Sequence, residues 1–275
     1  MKDIKDTIVA LCVGDVIGEP GCLLLAKYLP RLKKQYGVDI AIVNGENSAK
    51  NGRGVTPELM AFFQSCGVQV ITSGNHVWAK QTILPYFQQH TDLLRPANYP
   101  SDCPGKGVTV VAVDNVLVSV VSIQGRVFLK ENLDCPFRTL QTLLSFLKSQ
   151  TPIVIVDFHA EATAEKQAMA YFFDGAVSAI LGTHTHVQTA DARVLPAGTA
   201  YISDLGMVGA QNSIIGFKKD IALRGFLTQM PIKFEVEYSG PFIFNGAILT
   251  INIRTGQAIS IERVSLVDDD LIIAK

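Results

Sequence analysis

The 275-residue sequence predicts an α/β fold of layered sheets with helices on their faces. Short apolar runs that stop at polar, glycine-containing turns alternate with amphipathic helical patterns, which is how a chain covers the faces of a sheet. Hydrophobic residues make up 48% of the chain and charged residues 18%, enough apolar side chain to bury strands on both faces. The last third is strand-rich. No internal repeat, low-complexity segment or linker interrupts the pattern, so residues 1–275 are expected to form one domain of two layered sheets.

Thr7 to Val13 is an apolar run that reads as the first strand, ending in Gly14-Asp15-Val16-Ile17-Gly18. From Gly21 to Tyr36, residues Leu24, Leu25, Tyr28, Leu29 and Leu32 recur at helical spacing. Asp39 to Val43 forms the second strand, followed by Asn44-Gly45-Glu46-Asn47 and a loop to Val55. Thr56 has the hydroxyl of an N-cap and Pro57 suits the first helical position, so a helix runs to about Cys66. Val68 to Thr72 is the third strand, ending in Ser73-Gly74-Asn75-His76. The middle of the chain is irregular, and Val108–Val113 with Val116–Ile123 read as a hairpin around Asp114-Asn115. Gly125 to Arg138 reads as a loop, within a stretch of 95–138 that is either a cap insertion near the site or a plain surface connection. A helix from Arg138 to Gln150 leads to a strand, Ile153–Phe158, which runs into His159-Ala160-Glu161-Ala162-Thr163. Another helix reaches about Phe173, and Ala176 to Leu181 is a buried strand. Ile232–Tyr238, Ala247–Ile253 and Ala258–Val267 complete the strands.

The formal net charge of -1 gives no global bias toward nucleic acid or an anionic membrane, and no stable complex with either is expected. No apolar run approaches transmembrane length, and the run after the acidic N-terminus is too short for a signal sequence. Five widely spaced cysteines without a C-x-x-C argue against a disulfide framework, so a reducing cytoplasm is expected. Cys12 and Cys66 read as small core residues.

Of the five histidines, His76, His159, His184 and His186 follow strands, in turns that also hold Gly, Asn, Asp or Glu. His90, in Gln88-Gln89-His90, reads as a solvated helix-end residue. Gly182-Thr183-His184-Thr185-His186-Val187 is the densest of these turns. Gly182 would let the chain turn, and two histidines two apart would point the same way in extended backbone. In α/β sheets, ligands bind beyond the carboxyl ends of the strands. The strand-end turns there supply Asp15, Glu46, Asn47, Asn75, His76, His159, His184 and His186. Carboxylate, carboxamide and imidazole together suit Fe, Mn or Zn rather than a thiolate site. The donors are too many for one ion. Two ions roughly 3.5–4 Å apart need a bridging carboxylate, and such pairs clamp phosphoryl oxygens and generate hydroxide.

Gly14-Asp15, Gly45-Glu46-Asn47, Gly74-Asn75-His76, His159 and Gly182 to His186 resemble the calcineurin-like metallophosphoesterases. Asn44-Gly45-Glu46-Asn47, His159-Ala160-Glu161-Ala162-Thr163, Gly182 to Val187 and Asp204-Leu205-Gly206-Met207 are more closely similar to the YmdB-like branch. The broad superfamily carries a histidine at the position of Ile17, and a different second turn where this chain has Gly45-Glu46-Asn47. Both changes are typical of the YmdB-like branch, and Asn47 would fill in for the missing histidine. Ala164 and Val208 stand where that branch is expected to have hydroxyl residues.

The resemblance implies a central β-sandwich flanked by helices. It implies that Asp15, Asn47 and His186 bind one metal, that Asn75, His159 and His184 bind the other, and that Glu46 bridges them. His76 would face the substrate phosphate instead of ligating. The implied activity is hydrolysis of phosphodiesters, with 2′,3′- or 3′,5′-cyclic nucleotides favoured, by a bridging hydroxide; the family also forms homo-oligomers. A broad phosphomonoesterase and a non-catalytic sensor of a phosphorylated ligand are the competing readings. For the nucleobase, Phe137 and Tyr99 are the aromatic candidates.

Overall fold

The structure, a computed structural model, describes residues 5–273. The chain runs β1 (Thr7–Val13), β2 (Asp15–Val16), α1 (Gly18–Tyr36), β3 (Ile40–Asn44), α2 (Pro57–Ser65), β4 (Val70–Thr72) and α3 (Tyr86–Gln89). It continues through β5 (Val108–Val113), β6 (Val116–Gln124), α4 (Pro136–Gln150), β7 (Val154–His159), α5 (Thr163–Phe172) and β8 (Ala179–Thr183). It ends with β9 (Arg193–Val194), β10 (Ala200–Ile202), β11 (Met207–Ala210), α6 (Lys219–Thr228), β12 (Phe242–Asn252) and β13 (Ala258–Asp268).

One sheet has the order β2-β11-β12-β1-β3-β4, with β13 added on β12; the other has the order β5-β6-β7-β8-β10-β9. Each has a parallel heart, β1-β3-β4 and β6-β7-β8-β10 respectively, with antiparallel partners outside it. The sheets face each other across an apolar layer that includes Ala10, Cys12, Ile42, Leu249, Val120, Ile155 and Leu181. The opposite face of the first sheet packs on α1 and α2 through Leu11, Val13, Leu25, Leu29, Met60 and Phe63. The opposite face of the second packs on α4 and α5 through Val121, Val156, Phe158, Leu140, Leu147 and Met169. The order helix, sheet, sheet, helix is the α/β sandwich that the sequence predicts. It also explains why the central strands read as unbroken apolar runs: both of their faces are covered.

Local signals hold where side chains act on their own backbone. Thr56 Oγ1 accepts from Leu59 N–H at 3.4 Å, and Pro57 opens α2. Gly37 ends α1 with φ 63°. His90 sits at the end of α3, stacked on Tyr86. All five cysteines are free.

Three expectations change. Residues 232–238 form no strand beyond a single bridge between Phe217 and Val236. Their alternation instead points Phe234, Val236 and Tyr238 into a small cluster with Ile17 and Met207. The helix α6 precedes them without a sequence signal, because it buries only Ala222 and has no inward apolar stripe. The strand expected over 176–181 lies at Ala179–Thr183, so Gly182 is inside it and makes no turn.

Candidate metal centre

The sandwich brings the carboxyl ends of both parallel hearts to one edge. Asp15 comes from β2, and Glu46 and Asn47 follow β3. Asn75 and His76 follow β4, His159 ends β7, and His184 and His186 follow β8. The structure draws all of these residues into one network. Glu46 Oε1 lies 3.1 Å from His159 Nε2. His159 Nε2 is also 3.1 Å from Asn75 Oδ1 and 3.0 Å from His184 Nδ1. On the other flank, the Asn47 amide lies 3.4 Å from Glu46 Oε1, 3.5 Å from Asp15 Oδ1 and 3.2 Å from His186 Nε2. His186 Nε2 is 3.6 Å from Asp15 Oδ1. Glu46 thus stands between two groups of donors. His76 is held at the rim, where its backbone N–H donates to Glu46 Oε2 at 3.2 Å.

The far nitrogen of each inward histidine is occupied. His159 Nδ1 lies 3.0 Å from Thr183 Oγ1, which itself donates to Asp157 at 2.6 Å, so Nδ1 must carry the proton. His184 Nε2 lies 3.2 Å from Glu161 Oε2. His186 Nδ1 lies 2.9 Å from the carbonyl of Ile215. Each partner is an acceptor, so each histidine, when neutral, turns a bare nitrogen inward. Two ring nitrogens 3.0 Å apart, beside carboxylate and carboxamide oxygens, need a proton or a metal cation among them. The atoms of Glu46, His159 and His184 lie within 4.8 Å of one another, a spacing that one ion can span. A cation fits this donor set, and the far-side partners are the outer contacts that orient metal-binding histidines.

The electrostatics follow from burial and these neighbours. Burial lifts the carboxyl of Asp15, against the pull of His186 and His159. Burial also opposes charging of Glu46, but His159 and His76 outweigh it and leave Glu46 well below the usual carboxylate range. Burial disfavours a charged His159, yet Glu46, Asp15 and Asp157 together raise it. Burial and then His159 push His184 down to about 3.

The backbone around these histidines departs from the sequence expectation. His184 and His186 have φ of 95° and 67°, so they are not extended, and they converge because the loop curls. Gly182 is required for a different reason: a Cβ there would sit 1.7 Å from the Ser203 carbonyl oxygen. At Gly74 a Cβ would meet the His159 ring at 2.0 Å. Ile215, which presents its carbonyl to His186, has φ 48°, a costly conformation for a β-branched residue. Ile17, at the position of the absent superfamily histidine, is buried among Met207, Phe217 and Val236.

Several residues with structural leverage were not singled out from the sequence. Asp157 lies between the sheets and accepts from Asn44 at 3.0 Å, from Thr72, and from Thr183. Its only signal is one carboxylate in an apolar strand run, Val154-Ile155-Val156-Asp157. Lys166 and Asp204 form a buried ion pair at 2.9 Å. Glu161 and Asp204 fell within motifs but had no role there. Of the aromatic candidates, Phe137 is taken up by edge-on packing against Phe172. Tyr99 stays beside the site, its hydroxyl 3.3 Å from Gln124, the strand neighbour of His159. The loop after Gln124 also approaches it. Glu131 accepts from Gln124 at 3.0 Å, and Glu165 holds the backbone N–H groups of Arg126 and Val127.

Thr183→Val removes a hydroxyl that serves both His159 and Asp157. It should destabilise the protein by about 1–3 kcal/mol, because two buried polar groups lose a partner. Thr183→Ser should stay near wild type. Thermal unfolding followed by circular dichroism tests this; equal midpoints for the valine variant and wild type would refute it.

Residues 11–264 match the family model described as YmdB-like protein. A Bacillus subtilis protein named 2′,3′-cyclic-nucleotide 2′-phosphodiesterase is 41% identical over 261 residues, covering 95% of this chain and 98% of the relative. A solved Mycoplasma pneumoniae structure, described as a novel phosphatase, superposes with a TM-score of 0.90 at 35% identity, over 97% of this chain and 96% of that one. A Staphylococcus aureus protein provisionally called a 5′-nucleotidase shares the fold alone. Its TM-score is 0.64 at 18% identity, over 98% of this chain and 56% of that one. The strand-end motifs, the sandwich that gathers them and a match over nearly the whole chain agree: the chain belongs to the YmdB-like protein family.

Proposed function

We propose that this protein is a metal-dependent phosphodiesterase that hydrolyses cyclic nucleotides, with 2′,3′-cyclic nucleotides as the leading substrates. The observation that carries the reading is the convergence of inward imidazole nitrogens on Glu46, Asn47 and Asp15, with their far nitrogens held by Thr183, Glu161 and the Ile215 carbonyl. Asp15, Asn47 and His186 would hold one ion, Asn75, His159 and His184 the other, and Glu46 both. When bound, two ions of Fe, Mn or Zn supply Lewis-acid polarisation of the phosphoryl oxygens and acidify water toward neutral pH. The protein contributes the positions. Asp157 and Thr183 orient His159, Glu161 orients His184, and the Ile215 carbonyl orients His186. His76, at the rim, faces the phosphate and protonates the leaving ribose oxygen. The name of the B. subtilis relative, which is matched over nearly its full length, supports the substrate class.

The M. pneumoniae relative, described as a phosphatase, favours a second reading, a phosphomonoesterase on the same site. The deciding measurement is kcat/KM for 2′,3′-cyclic nucleotides, 3′,5′-cyclic nucleotides and the matching monophosphates in one Mn buffer. The 2′,3′-cyclic compounds should be the best substrates. Faster hydrolysis of the monophosphates would make the protein a phosphomonoesterase. Ligand binding without turnover of either class would make it a sensor.

A further inference from the structure

Behind the His184-Thr185-His186 loop lies an ion pair whose hydrogen bonds reach none of the residues assigned above to a metal. Lys166, on the inward face of α5, is only 2% exposed. A lysine this buried needs partners for its charge. Its Nζ donates to Asp204 Oδ2 at 2.9 Å and to the Thr183 carbonyl at 2.9 Å. Asp204 is fully buried. The same Oδ2 accepts from the backbone N–H of Thr185 at 3.0 Å and from its hydroxyl at 2.7 Å, while Oδ1 accepts from Gly206 N–H at 2.8 Å. The pair therefore grips the residue before His184 and the residue between His184 and His186. Those two histidines are the ones with positive φ, a conformation that non-glycine residues hold only when their surroundings impose it. The third inward histidine, His159, is held through the Thr183 side chain and Asp157 rather than through the loop backbone.

We infer that the Lys166–Asp204 pair is a positioning clamp that sets both His184 and His186, and so supports the two ions of the proposed centre together. The inference rests on the metal-dependent reading above and deepens it. One histidine serves each proposed ion. Loosening the loop should therefore weaken uptake at both sites, whereas loss of a single ligand weakens one site most.

The test is metal uptake by chelator-stripped protein, measured by titration calorimetry with Mn²⁺ and by the visible spectrum with Co²⁺. The variants are Lys166→Met, Asp204→Asn, the double variant and Thr185→Val. The last removes one hydroxyl bond to Asp204 without stranding a buried charge. Lys27→Met is the control, since it breaks a distant ion pair with the buried Asp268. The clamp variants should bind both ions about 10–100-fold more weakly, the usual effect of losing an orienting contact, with Thr185→Val least affected. Lys27→Met should bind both as wild type does. The double variant should lose little more than either single one, because the two residues act as a unit. Should a single variant fail to fold, the double variant and Thr185→Val decide. Folded clamp variants that take up both ions with wild-type affinity would overturn the inference, as would an equal loss in Lys27→Met. A wild-type protein that takes up no pair of ions would instead overturn the metal-dependent reading itself.

Discussion

Glu46→Gln is expected to lower phosphodiester turnover by about 10²–10³-fold while the protein stays folded. Glu46 is fully buried and reaches both donor groups, 3.1 Å from His159 Nε2 and 3.4 Å from the Asn47 amide. Glutamine keeps the length and one oxygen but removes the charge that draws a cation between the groups. Ions in such sites contribute several kcal/mol of transition-state stabilisation. A loss of about 3–4 kcal/mol corresponds to the quoted range at about 1.4 kcal/mol per tenfold. Metal analysis after reconstitution with excess Mn²⁺ should find two ions per wild-type chain and fewer in the variant. One ion per wild-type chain would contradict a shared Glu46. So would a variant with two ions and full activity.

His76→Ala should lower turnover on cyclic nucleotides by about 10²–10⁴-fold, the usual range for a general acid, with metal content unchanged. Its backbone N–H anchors it to Glu46, and its ring hydrogen-bonds to no other described residue, so the imidazole is free for substrate. Burial lowers the His76 pKa below its ordinary value, with Glu46 partly offsetting this. The free protein therefore holds a largely neutral His76 at pH 7, and a bound anionic phosphate would be needed to keep the proton on the ring. The sign follows for the pH profile. Wild-type kcat should fall as pH rises through the His76 pKa of the substrate complex, and this limb should vanish in the variant. An activated aryl diester needs little leaving-group protonation and should suffer less. Equal losses on both substrates, with the alkaline limb intact, would leave His76 only a phosphate-binding role.

The layered α/β architecture was legible because strands buried on both faces must be apolar throughout, and helices on one face must repeat at helical spacing. The residues that meet at this edge were legible for a related reason. Asp15, Glu46, Asn75, His159 and His184 interrupt apolar runs where strands end, and polar groups there either turn the chain or bind something. The match across nearly the whole chain bears out the family resemblance those motifs carried. Segments whose form depends on distant partners were not legible. Residues 232–238 alternate like a strand but pair only through the single bridge to Phe217, and α6 lies on the surface without an apolar stripe.

The sequence by itself determined which side chains end the strands, and therefore which donors could meet at one edge of a parallel sheet, because a strand delivers its terminal turn to the same edge whatever packs on it. Only the tertiary structure decided how they meet. The curl of His184 and His186 into positive φ depends on Asp204 and Lys166, which lie 19 and 17 residues from their partners in the loop. The orientation of His159 depends on Asp157, a carboxylate shared with Asn44 and Thr72 of the opposite sheet. Hydrogen bonds across elements have no periodicity along the chain. Their geometry exists only after the two sheets have packed.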